Sequence, residues 1–79
     1  MEAENKLNAK ITESLGVLST NKTGWALEVN MVSWFDRAPK LDIRDWSEDH
    51  TRCGKGIKLT NVEAERLRII LEQKYGGKS

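Results

Sequence analysis

Aromatic rings and cationic side chains that alternate along strand-like segments are the groups in this sequence most suited to chemistry. Trp34 ends one such segment, and the next one ends at Trp46. Because successive strand residues point to opposite faces, Arg44 and Trp46 share one face while Leu41 and Ile43 share the other. The first of these faces is predicted to be polar and accessible. A ring beside a guanidinium suits unpaired nucleic acid, since bases stack on rings and cations hold phosphates.

A cationic segment without any acid follows, over residues 52–58. Lys55 lies there between two glycines, whose small size lets a backbone come close, so we expect phosphate contact at this lysine. Lys58 alternates with Ile57 and Leu59 and is a weaker candidate. Other cations flank the predicted turns and could line a groove, although an ordinary solvated surface explains each of them equally well: Lys10, Lys22, Arg37, Lys40 and Arg52.

The aromatic and arginine candidates also have purely structural explanations. Trp34 and Trp46 could pack under loops or in an interface, because aromatic rings dominate the energetics of cores. Trp25 shares its strand face with apolar residues, so a core position competes with a binding role. Arg44 could pair with Asp42 or its other aspartate neighbour in a solvated salt bridge worth at most about 1 kcal/mol.

Metal binding and catalysis are not expected from this sequence. His50 and Cys53 are the single histidine and the single cysteine, whereas a structural zinc site needs about four ligands. The loop carboxylates Asp45, Glu48 and Asp49 have no accompanying nucleophile and base. We therefore predict no cofactor, no metal and no enzyme activity.

Length and composition indicate one small domain of 79 residues with a net charge of +1. A core of this size is marginal by itself, and one cysteine cannot form an internal disulfide, so dimerisation is the expected source of further stability. One cysteine also fits a reducing cytosol. The sequence has no signal peptide and no apolar run near the roughly 20 residues of a membrane span, which favours a cytoplasmic protein without membrane contact.

The segments that position these residues follow a strand period first and a helix period afterwards. Alternating patterns predict strands near residues 11–20, 25–34, 41–46 and 54–59, with turns at 21–24 and 35–39 and a polar loop over 47–53. Gly16 is a candidate bulge. The predicted fold is α+β, a β-β-β-β-α meander of four antiparallel strands with one C-terminal helix. Residues 1–8 are predicted to be disordered, 9–76 to form the domain and 77–79 a tail.

The helix is predicted from a capping box, in which Thr60 and Glu63 bond each other's free backbone N–H groups. Gly76 and Gly77 end it near Tyr75. Its apolar side chains spread more widely than one sheet face requires. The residues predicted to form a dimer interface are Leu67, Ile69, Ile70 and Leu71.

Two motifs in this order carry a resemblance to a known family. Asp42-Ile-Arg-Asp-Trp46, a loop, Gly54-Lys-Gly-Ile-Lys-Leu-Thr60 and an amphipathic helix resemble the transcriptional coactivator called positive cofactor four, and its short bacterial homologues more closely still. The resemblance covers roughly residues 9–75. It implies a homodimer of curved antiparallel sheets that binds single-stranded DNA in grooves on the sheets, without catalysis or a metal.

The resemblance also implies roles for individual residues. Arg44 matches the strand arginine that touches DNA, and Lys55 matches the lysine of the family's Lys-Gly-Ile motif. Trp46 falls at the aromatic end of the same strand, and Trp34 or Phe35 corresponds to the aromatic near the end of the second strand. The long regulatory tail of the eukaryotic coactivator is absent from this sequence, so plain single-strand binding is better supported than coactivation.

Two hypotheses from different classes follow. The first is a homodimer that binds single-stranded DNA with little sequence preference, in transcription regulation, replication or repair, with a nucleoid association if the source is bacterial. The second is a protein-interaction module, a transcription cofactor that uses the same aromatic face for transcription or replication proteins. Strong weakening of DNA binding by salt would favour the first hypothesis.

Overall fold

The computed structural model describes residues 8–77, which form one antiparallel sheet followed by one helix. The elements are β1 (Ala9–Thr20), β2 (Ala26–Trp34), β3 (Lys40–Trp46), β4 (Cys53–Leu59) and α1 (Asn61–Tyr75). The strands lie in the order β1-β2-β3-β4, so each strand pairs with its neighbour in sequence. The predicted α+β class, the meander and the terminal helix are confirmed.

The predicted disordered segment, 1–8, and the predicted tail, 77–79, lie outside the described residues except for Asn8 and Gly77. Asn8 is held at the start of the domain. Its carbonyl oxygen accepts a hydrogen bond of 2.7 Å from the backbone N–H of Phe35.

The turn between β1 and β2 is built around one asparagine. The Oδ1 atom of Asn21 accepts hydrogen bonds from the N–H groups of Thr23, at 2.9 Å, and Trp25, at 3.2 Å. Gly24 takes a φ of +92°, in the region that favours glycine. Asparagine and glycine therefore fix this turn by local chemistry, as the sequence predicted.

The turn between β2 and β3 contains a residue type that is unusual for its backbone geometry. The carbonyl oxygen of Trp34 accepts a 2.9 Å hydrogen bond from the N–H of Arg37, and the two central residues, Phe35 and Asp36, have φ values of 54° and 62°. Two positive φ values are the signature of a type I′ turn, which usually takes Asn and Gly. A bulky side chain at such a φ is an outlier, so Phe35 is displayed at some conformational cost.

Register shifts interrupt two of the three ladders. Those between β1 and β2 include one at Gly16, where a bulge was expected, and the ladder between β3 and β4 shifts between Arg44 and Trp46. The ladder between β2 and β3 runs without a shift and places Glu28 opposite Arg44, and Asn30 opposite Asp42. Bulges of this kind bend the strand and increase its twist.

Strand alternation and this register divide the sheet into two faces. We call one the Arg44 face, which carries Glu28, Asn30, Val32, Trp34, Asp42, Arg44 and Trp46. We call the other the apolar face, which carries Leu27, Val29, Met31, Leu41, Ile43, Ile57 and Leu59. The predicted separation of Arg44 and Trp46 from Leu41 and Ile43 is confirmed.

The predicted accessibility of the two faces is wrong. Every side chain that is nearly inaccessible lies on the Arg44 face: Val32, Trp46, Asn30 and Asp42 are all at most 2% exposed. The apolar face is only half-buried, and Ile57 is 52% exposed. Hydrogen bonds within the chain pair the charged groups of the Arg44 face and so make their burial possible.

The helix begins with the predicted capping box. The N–H of Glu63 donates to Thr60 Oγ1 at 3.1 Å, and the N–H of Thr60 donates to Glu63 Oε1 at 2.9 Å. The helix contacts β3 and β4, yet none of its residues is buried, and only Ala64 and Leu67 are half-buried. No helix within residues 8–77 is long and apolar enough to cross a membrane.

Candidate nucleic-acid interface

Trp34 is held in place by one carboxylate and two cations. Its indole Nε1–H donates to Asp42 Oδ2 at 3.2 Å. The Arg44 Cζ atom lies 4.6 Å from the ring centroid, and Lys58 Nζ lies 5.5 Å from it. Both cations are within the roughly 6 Å over which a ring attracts a positive charge. The half-buried ring is thus oriented by the chain before any ligand arrives.

Arg44 supports the position of Trp34 through its own hydrogen bonds and is not a free cation. Its Nε donates to Asp42 Oδ1 at 2.7 Å, and its Nη1 donates to the Gly54 carbonyl at 3.3 Å. The residue is 9% exposed, so the expectation of a freely accessible guanidinium is wrong. Direct contact between Arg44 and DNA stays a prediction, but the geometry makes it first a positioning residue for Trp34.

One of the two glycines around Lys55, Gly56, has a structural reason in this packing. A Cβ atom on Gly56 would lie 2.3 Å from the Cβ of Arg44 and 2.3 Å from the Ile43 carbonyl oxygen, so no side chain fits there. The close approach expected at this motif is therefore made by Arg44. Lys55 itself is exposed on β4 and free to meet a phosphate.

Trp46 is not the accessible stacking surface that was expected. It is 2% exposed, and its ring centroid lies 5.6 Å from that of His50. Its Nε1 atom is buried without a hydrogen-bond partner in residues 8–77, as is Asn30 Oδ1. The loop after β3 folds back over the Trp46 ring, and the Arg44 face is therefore closed at this ring. Base stacking on Trp46 would require that loop to move.

The loop over residues 47–52 is fixed by its own hydrogen bonds. Asp49 Oδ1 accepts from the hydroxyl of Thr51 at 2.8 Å, from the N–H of Thr51 at 3.1 Å and from the Ser47 hydroxyl at 2.9 Å. These bonds, those from Thr51 first, stabilise the carboxylate and lower the pKa of Asp49 to about 2. His50 has a φ of 60°, and the loop delivers its ring onto the sheet.

His50 is a candidate that sequence reasoning missed. Its Nε2 atom lies 3.0 and 2.9 Å from the two carboxylate oxygens of Glu28, 22 residues away. Glu28 is 8% exposed, and its Oε1 also accepts from Asn30 Nδ2 at 3.0 Å. The sequence offered only the pairing of His50 with Cys53 as a metal motif, so nothing in it pointed to Glu28.

Trp25 and Arg52 form a second aromatic–cation pair. Arg52 Cζ lies 5.6 Å from the centroid of the Trp25 ring, which is half-buried. The pair borders an open hollow of about 430 Å³ that Thr23 and Ser47 also line. Trp25 comes directly before β2 and Trp34 ends it. The two pairs therefore lie toward opposite ends of β2.

A third pair lies at the type I′ turn. Phe35 is 56% exposed, and Arg37 Cζ lies 5.6 Å from its centroid. The sequence treated Trp34 and Phe35 as alternatives, but the structure separates them: Trp34 belongs to the sheet face and Phe35 to the turn. The positive φ that exposes Phe35 has no sequence signal of its own.

The remaining candidates lie around these pairs. Lys40 and Lys58 border a small hollow with Trp34 and Arg37, while Lys22 is exposed in the first turn. Three of the four predicted dimer residues, Ile69, Ile70 and Leu71, are 46–58% exposed in the protomer, whereas Leu67 is half-buried. Among residues 8–77, no three His, Cys, Asp or Glu side chains are grouped so that they could hold a metal ion.

The fold and these pairs define a small β-sheet binding domain, with an open four-stranded meander, one capped helix and cation-paired aromatic rings at the strand ends. Residues 21–70 match the family described as Transcriptional Coactivator p15 (PC4). The chain therefore belongs to this family, whose members bind nucleic acid and are not enzymes. It is also 45% identical over 62 residues to an uncharacterized protein of Treponema pallidum (strain Nichols), covering 78% of this chain and 73% of that protein.

Proposed function

We propose that the protein binds single-stranded DNA with little sequence preference. The observation that carries this proposal is that Trp25, Trp34 and Phe35 each have a cation within 5.6 Å of the ring centroid. An unpaired strand offers bases that stack on rings and phosphates that attract cations, and neither interaction reads the sequence. Membership of a family that binds single-stranded DNA supports the same reading.

The charges suggest how the strand would be oriented. Glu28 and Asp42 lie buried on the Arg44 face and would repel phosphates that came close. Arg37, Lys40 and Lys58 lie beside Trp34 at the border of that face, where phosphates could meet them. We therefore expect bases toward the rings and the backbone toward the edges, with contacts from Lys22, Arg37, Lys40, Arg52, Lys55 and Lys58.

Within this arrangement Trp34 and Phe35 are the proposed stacking rings at one end of β2, and Trp25 is the proposed ring at the other. Arg44 orients Trp34 through Asp42. Trp46 supports the face from inside, because its burial leaves no ring surface for a base. This division of roles replaces the simpler expectation of stacking on Trp46.

We also propose that the active form is a homodimer held together through α1. Five large apolar or aromatic side chains of this helix are 46–69% exposed in the protomer: Val62, Ile69, Ile70, Leu71 and Tyr75. A large exposed apolar patch on a protein usually marks an interaction site. A second copy would bring two sheets to one DNA strand. We place the activity in the cytoplasm, in transcription regulation, replication or repair.

A fluorescence titration tests the proposal directly. Oligo-dT of about 20 nucleotides, longer than a typical single-strand site of ~4–16 nucleotides, should quench the half-exposed tryptophans. A duplex of equal length should bind much more weakly, because its base faces are hidden. Affinity for dT should fall as salt rises, with a slope of roughly 0.7 per phosphate neutralised. Equal affinity for both forms would contradict the proposal.

A further inference from the structure

An open hollow of about 430 Å³ lies beside His50, within the size range of ordinary ligand sites. Trp46 and His50 line one part of it, and Lys10 and Ile11 of β1 line another. The side chain of His50 is 42% exposed, so its ring presents a free surface to this hollow. None of the pairs assigned above accounts for it.

The position of the His50 ring is over-determined. Trp46 lies beneath it with a centroid separation of 5.6 Å and an interplanar angle of 32°. Both carboxylate oxygens of Glu28 lie within hydrogen-bond distance of the His50 Nε2 atom. The backbone of His50 has a positive φ, and its loop is fixed by the hydrogen bonds to Asp49. A side chain held from three directions and still half-exposed is pre-organised to meet something outside the chain.

We propose that His50 is a nucleic-acid-binding residue: its imidazole, anchored on Glu28 and packed against Trp46, is the platform on which one base of the strand stacks. Lys10, which also lines the hollow, is the cation available for the neighbouring phosphate. This inference rests on the proposed function and adds to it a stacking position and a dependence on pH.

The sign of the pH dependence follows from the charges around the ring. With His50 neutral, the His50–Glu28 pair carries one negative charge, and with His50 protonated the pair is neutral. Asp49, with its pKa of about 2, stays ionised near neutral pH, and Lys10 keeps its positive charge. Histidine is the side chain that ordinarily changes charge between about pH 5 and 8. A polyanion prefers the neutral pair, so DNA should bind more tightly as the pH falls.

The experiment measures oligo-dT affinity across this pH range for the parent protein and for His50→Gln. Thymine has no group that titrates there, so any change belongs to the protein. The parent should bind roughly fivefold more tightly at the acid end, the effect of one charge at about 4 Å in water. His50→Gln keeps a donor for Glu28 but lacks the charge and the ring, so it should bind more weakly and without that gain.

His50→Phe separates the ring from the charge, because it retains a stacking surface. It should bind dT nearly as well as the parent at the alkaline end and show no gain in acid. Far-ultraviolet circular dichroism and thermal unfolding of each variant show whether the fold is kept. His50 is half-exposed, so both variants should stay folded.

Because His50 is the single histidine, its imidazole C–H signals in NMR report on it alone. Saturating dT should move these signals, because a base stacked on the ring changes the magnetic environment of its protons. Signals that dT leaves unmoved, or a pH dependence equal in the parent and His50→Gln, would overturn the inference while leaving DNA binding intact. Tighter binding by His50→Gln would also overturn it, since the ring would then obstruct the site. Absence of dT binding by the parent at every pH would instead remove the proposed function.

Discussion

The two faces of the sheet are buried in the opposite order to their hydrophobicity. The Arg44 face contains two acids, an arginine and an asparagine, yet it holds the most deeply buried side chains of the described residues. The apolar face stays half-exposed, together with the apolar side chains of α1. Polarity alone would have assigned the interior to the other side.

The difference reflects how each kind of group is satisfied. Asp42 pairs with Arg44 and Trp34, and Glu28 pairs with His50 and Asn30. Each buried carboxylate therefore has hydrogen-bond partners within the chain. Hydrogen bonds are directional, and such groups must be matched within the folded chain. Apolar burial is non-directional, so the apolar face needs no such matching of individual groups.

The largest expected effect tests the interior of the Arg44 face. Trp46→Ala should destabilise the fold by about 3–5 kcal/mol, the usual cost of removing a large buried ring. Urea unfolding measures it. Trp25→Ala, at a half-exposed ring, is the matched control and should cost far less. If Trp46→Ala folded normally and lost only DNA binding, Trp46 would be a stacking ring after all.

The next effect tests the apolar surface of α1. Ile70→Glu would place an unpaired charge in the proposed interface, a penalty of several kcal/mol for a buried ion. The dimer should dissociate, and the thermal midpoint of the parent, but not of the variant, should rise with protein concentration. Asn61→Glu adds the same charge in the exposed first turn of the same helix, away from Ile70, where an acid suits the helix N-terminus. It should leave the dimer intact. A parent that sediments as a folded monomer at micromolar concentration would refute the proposed dimer.

A smaller effect separates rings that bind from rings that support. Trp34→Ala and Phe35→Ala should each weaken oligo-dT binding by about 1–3 kcal/mol, the scale of one base–aromatic stack. Both should unfold in urea far closer to the parent than Trp46→Ala does. The comparison of faces would fail if either substitution left the dT affinity unchanged while lowering stability as much as Trp46→Ala.

The salt dependence of binding distinguishes the two strand cations. Lys55→Gln should reduce the slope of log affinity against log salt by roughly 0.7, which corresponds to one phosphate contact. Arg44→Gln should weaken binding through the loss of Trp34 orientation and change the slope less. A slope that fell for Arg44→Gln and not for Lys55→Gln would return Arg44 to the role of direct phosphate contact.

The smallest expected effect is a change in the loop over residues 47–52 at acid pH. Because the pKa of Asp49 is lowered from 3.8 to about 2 in the folded loop, its contribution is complete above pH 3.8 and is lost as the pH falls through 2. The Thr51 amide signal in NMR should therefore move only in this window. Asp49→Asn should already show the shifted position at neutral pH. A Thr51 signal that moved near pH 5 would point to a different titrating group.

Local sequence chemistry determined most of the fold. The Asn21 turn, the bulge at Gly16 and the capping box of Thr60 and Glu63 all depend on residues close together in the chain, and each is found where the sequence predicted it. Alternation also assigned Arg44 and Trp46 to one face correctly. These features were readable because short-range geometry decides them.

The tertiary structure decided which face closes and which rings stay free. Alternation separates two faces but does not say which one the chain covers, and the covering loop brings His50 to Glu28 across 22 residues. The positive φ of Phe35 likewise could not be read from the sequence, because phenylalanine usually avoids positive φ values. Contacts between distant segments set the exposure of each side chain. The sequence therefore determined the elements and the residue types available for binding, and only the folded chain determined which of them can reach a ligand.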